Sequence, residues 1–255
     1  MDSQLSHRPG PPALVVVAHG SRDPRALATV RALLDRVRAL RPGLPVHLGH
    51  IELNEPLLPD TLAALGDREA VLVPLLLSRG YHVKQDIPEM AAAAPTRTRL
   101  AAPLGPHPLL AATLHTRLTE AGWRTPATEA ERRATAVILA AAGSRDPDSA
   151  TDTGRTAALL AARLGVPVVP AYASAATPTV DAAVRSLRAR GRHRIAVASY
   201  FTAPGRFATE CAKAAPDIAA DPLGAHPLMA ELLLHRYEGA MAAQGTNEPA
   251  LAATR

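Results

Sequence analysis

Short apolar runs alternate along this chain with longer stretches of helical period. "ALVVVA" at Ala13–Ala18 is apolar at every position, which predicts a strand buried on both faces. From about Pro24 to Leu40 the period changes. Leu27, Val30, Leu33, Leu34 and Val37 recur at spacings of three and four, predicting a helix with one apolar face. Asp23 before Pro24 supplies an N-cap followed by proline at the first helical position. "VHLGHIEL" predicts a second strand, leading into a helix start within "NEPLLPDTLAAL". "AVLVPLLL" predicts a third strand, followed by a polar loop, "SRGYHVKQD", and a short helix near Ile87–Ala94. A fourth short strand at about Thr98–Ala102 precedes "PLGPHP" and a helix to about Glu120.

The same order then starts again. "TAVILAAA" matches the first strand, and "VPVVPAYASAATP" matches "LPVHLGHIELNEP". "RIAVASYFTAPGRF" matches the third strand and its loop, and "DPLGAHPLMAELL" matches "APLGPHPLLAATL". The offsets are nearly constant: 123 from Gly20 to Gly143, 122 from Pro56 to Pro178, and 119 from Pro103 to Pro222. The chain is an internal duplication.

Buried strands alternating with helices predict an α/β protein of two tandem similar domains. Each is a roughly four-stranded parallel sheet flanked by helices. The expected boundaries are an N-terminal domain at 1–121, a linker at 122–133, a degenerate repeat at 134–243 and a flexible tail at 244–255. Ligands of such sheets sit beyond the carboxyl ends of the strands. The cleft between the two halves is the expected site.

Composition narrows the classes of partner. With 255 residues, 47% of them hydrophobic and 20% charged, the chain can bury a sizeable core. The net charge of +5 favours anionic partners, but it is spread without a basic run and aromatics are only 3%, which points away from nucleic acid. A small polyanionic ligand fits that charge at least as well. Cys211 is the only cysteine, which excludes an intrachain disulfide and a thiolate metal cluster. The apolar runs are too short to span a bilayer, and "MDSQLSHRPGPP" lacks the pattern of a secretory signal, so a cytoplasmic location is expected.

The duplication serves as its own control, because residues kept in both halves are scaffold candidates and reactive residues kept in one are site candidates. His19, at the end of the first strand, aligns with Ala142, and Glu52, near the end of the second, aligns with Ser174. His82, in the loop after the third strand, aligns with Arg206. All three come from one edge of one sheet. Two imidazoles and a carboxylate with open positions suit a divalent first-row metal, and imidazole also acts as a base near neutral pH. Taken singly, a strand-end histidine is more often a hydrogen-bonded loop residue than a ligand. Their loss together from the second half is what points to a site.

Glu55 aligns with Thr177 and ranks behind Glu52, because a carboxylate suits a helix start anyway. His47 and His50 alternate with apolar positions as packed or edge residues. His107 and His226 recur in both halves, which a shared helix-entry turn explains. No phosphate-binding glycine loop precedes either lysine, and Ser21 does not sit in a nucleophile elbow.

"VVVAHGSRDPRA", "IELNEP", "VPLLLSRGYHVKQDIPE" and "PLGPHPLL" together resemble the sirohydrochlorin chelatases, the class II enzymes that insert cobalt or iron into a tetrapyrrole without ATP. The second half resembles the degenerate partner domain of the family's long forms. By motif, the family's metal-site residues fall on His19, Glu52 and His82. The resemblance implies a lyase of sirohaem or cobalamin biosynthesis, with Fe2+ or Co2+ (or Ni2+) as substrate and no organic cofactor. It implies sirohydrochlorin as the anionic partner, neither membrane nor nucleic acid, and one chain acting as a pseudo-dimer. His19 is then ligand and base, His82 mainly a ligand, and Glu52 a ligand or proton relay. Ser21, Arg22, Arg79, Tyr81 and Arg206 are the candidates for contacting the macrocycle. "RGYH" departs from relatives that carry small residues before the histidine. A non-catalytic metal or tetrapyrrole carrier using the same trio is the alternative.

Overall fold

A computed structural model describes residues 10–243, and the expected tail at 244–255 lies outside them. Each half contributes a four-stranded, fully parallel sheet. The first contains β1 (Ala13–Ala18), β2 (Val46–His50), β3 (Ala70–Pro74) and β4 (Thr98–Leu100) in the order β2-β1-β3-β4. The second contains β5 (Thr135–Ala141), β6 (Val168–Tyr172), β7 (Arg194–Ser199) and β8 (Ile218–Ala219) in the matching order β6-β5-β7-β8. The helices are α1 (Pro24–Leu40), α2 (Leu58–Leu65), α3 (Ile87–Ala93), α4 (Pro108–Glu120) and α5 (Glu129–Ala134), then α6 (Pro147–Leu164), α7 (Val180–Ala189), α8 (Arg206–Lys213) and α9 (Pro227–Ala242).

Alternation along the central strands assigns the layers. Leu14 and Val16 point into a central cluster that also holds Val30, Leu33 and Leu34 of α1, while Val15 and Val17 point the other way onto Leu58, Leu62 and Ile87. The second sheet repeats this, with Val137 and Leu139 in the central cluster and Ile138 packed outward with Val184 and Leu187 of α7. The central cluster draws on both sheets, so the halves share one continuous apolar layer.

That layer is built by exchange. The last helix of each half crosses to the other sheet: α4 packs on α6 and β7, and α9 packs on α1, β3 and β4. Arg117 of α4 donates from Nε and Nη2 to the carbonyl of Leu223 at 3.2 and 3.0 Å. Its repeat counterpart in α9, Arg236, donates from Nη2 to the carbonyl of Leu104 at 2.9 Å. Each arginine thus closes the "PLG" turn of the opposite half. His107 and His226 are the N-caps of these helices, their Nδ1 atoms accepting from the amides of Leu109 and Leu228 at 3.2 Å. This accounts for their presence in both halves.

Some expected boundaries shift. β2 ends at His50, because the chain bends away through Leu53, which has a φ of 67°. β3 ends at Pro74, although the Leu75 amide still donates to Val17. Within the expected linker, Thr128 and Glu131 form a reciprocal capping box that starts α5. Residues His82–Asp86, expected in a loop, wind a π-helical turn that runs directly into α3.

Candidate functional site

His19 follows the last residue of β1, where the buried strand must turn into α1. Gly20 makes that turn at φ 105°, and a β-carbon there would lie 1.9 Å from the Glu52 carbonyl oxygen. Gly143 repeats this at φ 90°, with 1.8 Å to the carbonyl oxygen of Ser174. The hydroxyls of Ser21 and Ser144 each accept from the amide two residues on, and Asp23 and Asp146 cap α1 and α6. "GSRDP" is therefore a strand-to-helix turn in both halves, and the histidine before it takes no part in the capping.

The two imidazoles meet. The His19 and His82 ring centroids are 4.7 Å apart with planes at 85°. Glu52 Oε1 lies 3.5 Å from His19 Nε2, both side chains being about half exposed. His19 Nδ1 lies 3.2 Å from the Gly20 carbonyl oxygen, and His82 Nδ1 lies 2.5 Å from Asp86 Oδ2 one turn along. Carbonyl and carboxylate oxygens only accept, so in both neutral rings Nδ1 carries the proton and Nε2 presents a lone pair. Among the described residues, no three His, Cys, Asp or Glu side chains converge closely enough to enclose a metal ion.

These rings open onto a cavity of about 610 Å³ lined by both halves. His19, Ser21, Arg22, Tyr81 and His82 form one side, and Ala142, Ser144, Ser174, Arg206 and Phe207 are among the residues of the other. Glu52 is not part of the wall and reaches the site through His19. Arg79, expected as a substrate anchor, is absent from the wall as well. Its Nε and Nη2 atoms donate to Asp152 at 2.9 and 2.7 Å, and Nη1 lies 3.6 Å from Asp148. Arg206 is exposed, with its guanidinium 4.8 Å from the centre of the Phe207 ring.

The alignment of His82 with Arg206 does not survive. The Lys84 amide donates to Gly80 and the Thr209 amide donates to Gly205, so the two glycines are equivalent. Arg206 therefore corresponds to Tyr81, and the counterpart of His82 is Phe207. An aromatic ring has replaced the second imidazole.

Three further contributors escaped the sequence reading. Asp86 orients His82, and its spacing of four along a helix was the available signal. Asn54 accepts from the Ser21 amide at 2.7 Å, and it becomes Ala176 in the second half. The third is Phe207. His50 is fully buried, its Nδ1 3.1 Å from the Pro56 carbonyl oxygen, and burial lowers its pKa. It nonetheless lines the same cavity, whereas His47, half-buried in the edge strand β2 and with its pKa also lowered by burial, does not. Glu55 accepts from the Leu57 amide at the start of α2.

Two parallel sheets with an exchanged helical layer and a histidine-bearing cleft define a tandem α/β protein of the chelatase-like class. Similarity to known proteins agrees. The CbiX family model matches residues 13–121 and again 136–240, and the chain belongs to that family. A sirohydrochlorin cobaltochelatase of Priestia megaterium is 26% identical over 209 residues, 76% of this chain and 65% of that protein. A sirohydrochlorin ferrochelatase of Bacillus subtilis is 31% identical over 176 residues, 65% of this chain and 64% of that one. A cobaltochelatase of Methanococcus aeolicus is 35% identical over 81 residues, 31% of this chain and 57% of that protein. The chain thus spans 57% to 65% of the length of these relatives. Bacillus subtilis SirB, solved with Fe3+, superposes with a TM-score of 0.73 at 24% identity, covering 92% of this chain and 97% of SirB. A CbiX of siroheme biosynthesis in denitrifying bacteria gives 0.68 at 21% identity, covering 89% and 99%. At these identities the structural likeness is one of fold. Among the described residues, no helix is long and apolar enough to cross a membrane.

Proposed function

We propose that the protein is an ATP-independent lyase that inserts Fe2+ or Co2+ into sirohydrochlorin within the cleft, one chain serving as its own pseudo-dimer. The observation that carries this reading is the pairing of His19 Nε2 with Glu52 Oε1 at 3.5 Å beside the His82 ring. The two donor atoms are spaced to share one cation. Metal–ligand distances of about 2.0–2.2 Å at a tetrahedral angle would separate two donors by about 3.4 Å. The relatives named as sirohydrochlorin chelatases support the choice of substrate.

In this reading His19, Glu52 and His82 present the metal, and the positions they leave open accept the macrocycle nitrogens. Two pyrrole N–H bonds break as four metal–nitrogen bonds form, and two protons leave. His19 Nε2 and the Glu52 carboxylate, freed as the metal transfers, accept one proton each, and both half-exposed groups pass them on to water. A site that passes its metal on gains from lacking a closed cage. Arg22 and Arg206 line the cavity wall and would meet substrate carboxylates, and Tyr81 and Phe207 would offer apolar faces to the ring.

Absorbance of sirohydrochlorin mixed with Fe(II), Co(II) or Ni(II), with and without the protein, tests this directly. Insertion well above the uncatalysed rate for at least one metal is expected. Binding of metal and macrocycle without acceleration would instead establish a carrier.

A further inference from the structure

The segment that brings His82 to the cleft is held by the other half of the chain. The carbonyl of Leu77 accepts from the Tyr200 hydroxyl at 2.9 Å, and that hydroxyl also meets Thr156 of α6 at 3.0 Å. The Ser78 hydroxyl lies 2.9 Å from that of Ser149, also on α6. Arg79 makes three bonds to Asp152, from its amide at 3.0 Å and from two guanidinium nitrogens. Asp152 is only 1% exposed. Beyond the imidazole, Lys84 Nζ pairs with Asp146 and Asp148 at 2.7 and 2.8 Å. Residues on both sides of His82 are thus fixed to α6, to its N-cap Asp146 and to Tyr200, which follows β7.

Among the described residues, nothing equivalent holds the matching segment of the second half. The repeat register places Ala203 and Pro204 where the first half has Ser78 and Arg79, and Ala26 and Thr29 of α1 where α6 has Ser149 and Asp152. Those residues cannot form the bridge. Anchoring and imidazole occur together, on the same side of the duplication.

We propose that Asp152, through Arg79, is the positioning residue for His82, so that the second half supports the reaction by fixing the metal-presenting segment of the first. Asp152 does not line the cavity and acts through its bonds to Arg79. An imidazole displaced by about 1 Å from productive geometry can cost up to about 100-fold in rate, so a rigid anchor of this kind matters. The proposal rests on the chelatase reading for its kinetic consequences and not for its effect on metal binding.

The test compares the intact protein with Asp152→Asn and with the double variant Arg79→Leu/Asp152→Leu, which removes the pair without leaving a lone buried charge. Co(II) affinity, kcat, KM for sirohydrochlorin and thermal midpoint are measured for each. In both variants, Co(II) affinity and kcat are expected to fall about tenfold or more, with KM for sirohydrochlorin within about twofold. The thermal midpoint of the double variant stays close to that of the parent. Unchanged Co(II) affinity and kcat in either folded variant would overturn the proposal. If the parent binds Co(II) but metallates nothing, the chelatase reading fails while the Co(II) comparison still decides the anchor.

Discussion

The two halves of this chain share a backbone plan and differ in what they do with it. Both turn from strand to helix through "GSRDP" with the same positive-φ glycine, serine contact and aspartate cap. Both exchange a terminal helix and close the opposite "PLG" turn with an arginine. The first half adds His19, Glu52, Asn54 and His82, where the second has Ala142, Ser174, Ala176 and Phe207. In turn, the second half supplies the buried Asp152 that grips the His82 segment. On the proposed function, chemistry and support have separated between the copies, and neither half is expected to work alone.

The largest effect expected from breaking this asymmetry is at His19. His19→Ala should lower metal insertion by about 100-fold or more, as loss of a ligand and base would, with little change in thermal midpoint. The reverse change, Ala142→His, should leave the rate within about twofold, because the counterparts of Glu52 and His82 in the second half are Ser174 and Phe207. Next come the residues the halves share. Gly20→Ala and Gly143→Ala should each destabilise the fold by about 3 kcal/mol in denaturant titrations, since a β-carbon would strike a backbone carbonyl in either copy. Arg117→Ala and Arg236→Ala should each cost about 2 kcal/mol, the worth of charged hydrogen bonds to a carbonyl in the shared layer.

Acid should act on both halves in the same direction. Burial lowers the pKa values of His47, His50, His107, His115 and His226, with nearby arginines adding to the effect. Below about pH 6.5 the unfolded chain binds protons that these folded histidines refuse, so stability falls as pH drops through that point. Carboxylates extend the loss. Burial opposes ionisation of Asp152, but the Arg79 hydrogen bonds outweigh it and hold its pKa below the usual value; its stabilisation disappears below about pH 4. Thermal midpoints measured from pH 8 to 3 check the sign. The smallest effect is expected at Arg206, whose exposed guanidinium should change KM for sirohydrochlorin by a factor of about two to five when replaced by alanine.

The repeat made most of this legible. Strand periodicity and near-constant offsets carried the two sheets, and comparison of the copies carried His19 and Glu52. The exchange of α4 and α9 was hidden, because an apolar helix face announces burial without saying against which sheet. Arg79 was misread for a related reason. Its partner lies in "PDSATDTGRT", a polar stretch that resembles a solvated helix face, yet Ser149, Asp152, Thr153 and Thr156 are all buried there. Periodicity sees hydrophobicity and is blind to polar residues that satisfy one another. The counterpart of His82 was displaced by one residue, since matching two reactive side chains overrode the glycines that the backbone keeps in register.

The most direct test of the division between copies is a count of metal sites. Titration of the intact chain with Co(II), followed by the visible absorption of the bound ion, should saturate at one equivalent. His19→Ala should abolish that signal, and Ala142→His should leave it at one. Two equivalents in the parent chain, or an undiminished signal in His19→Ala, would contradict the assignment of the chemistry to the first half.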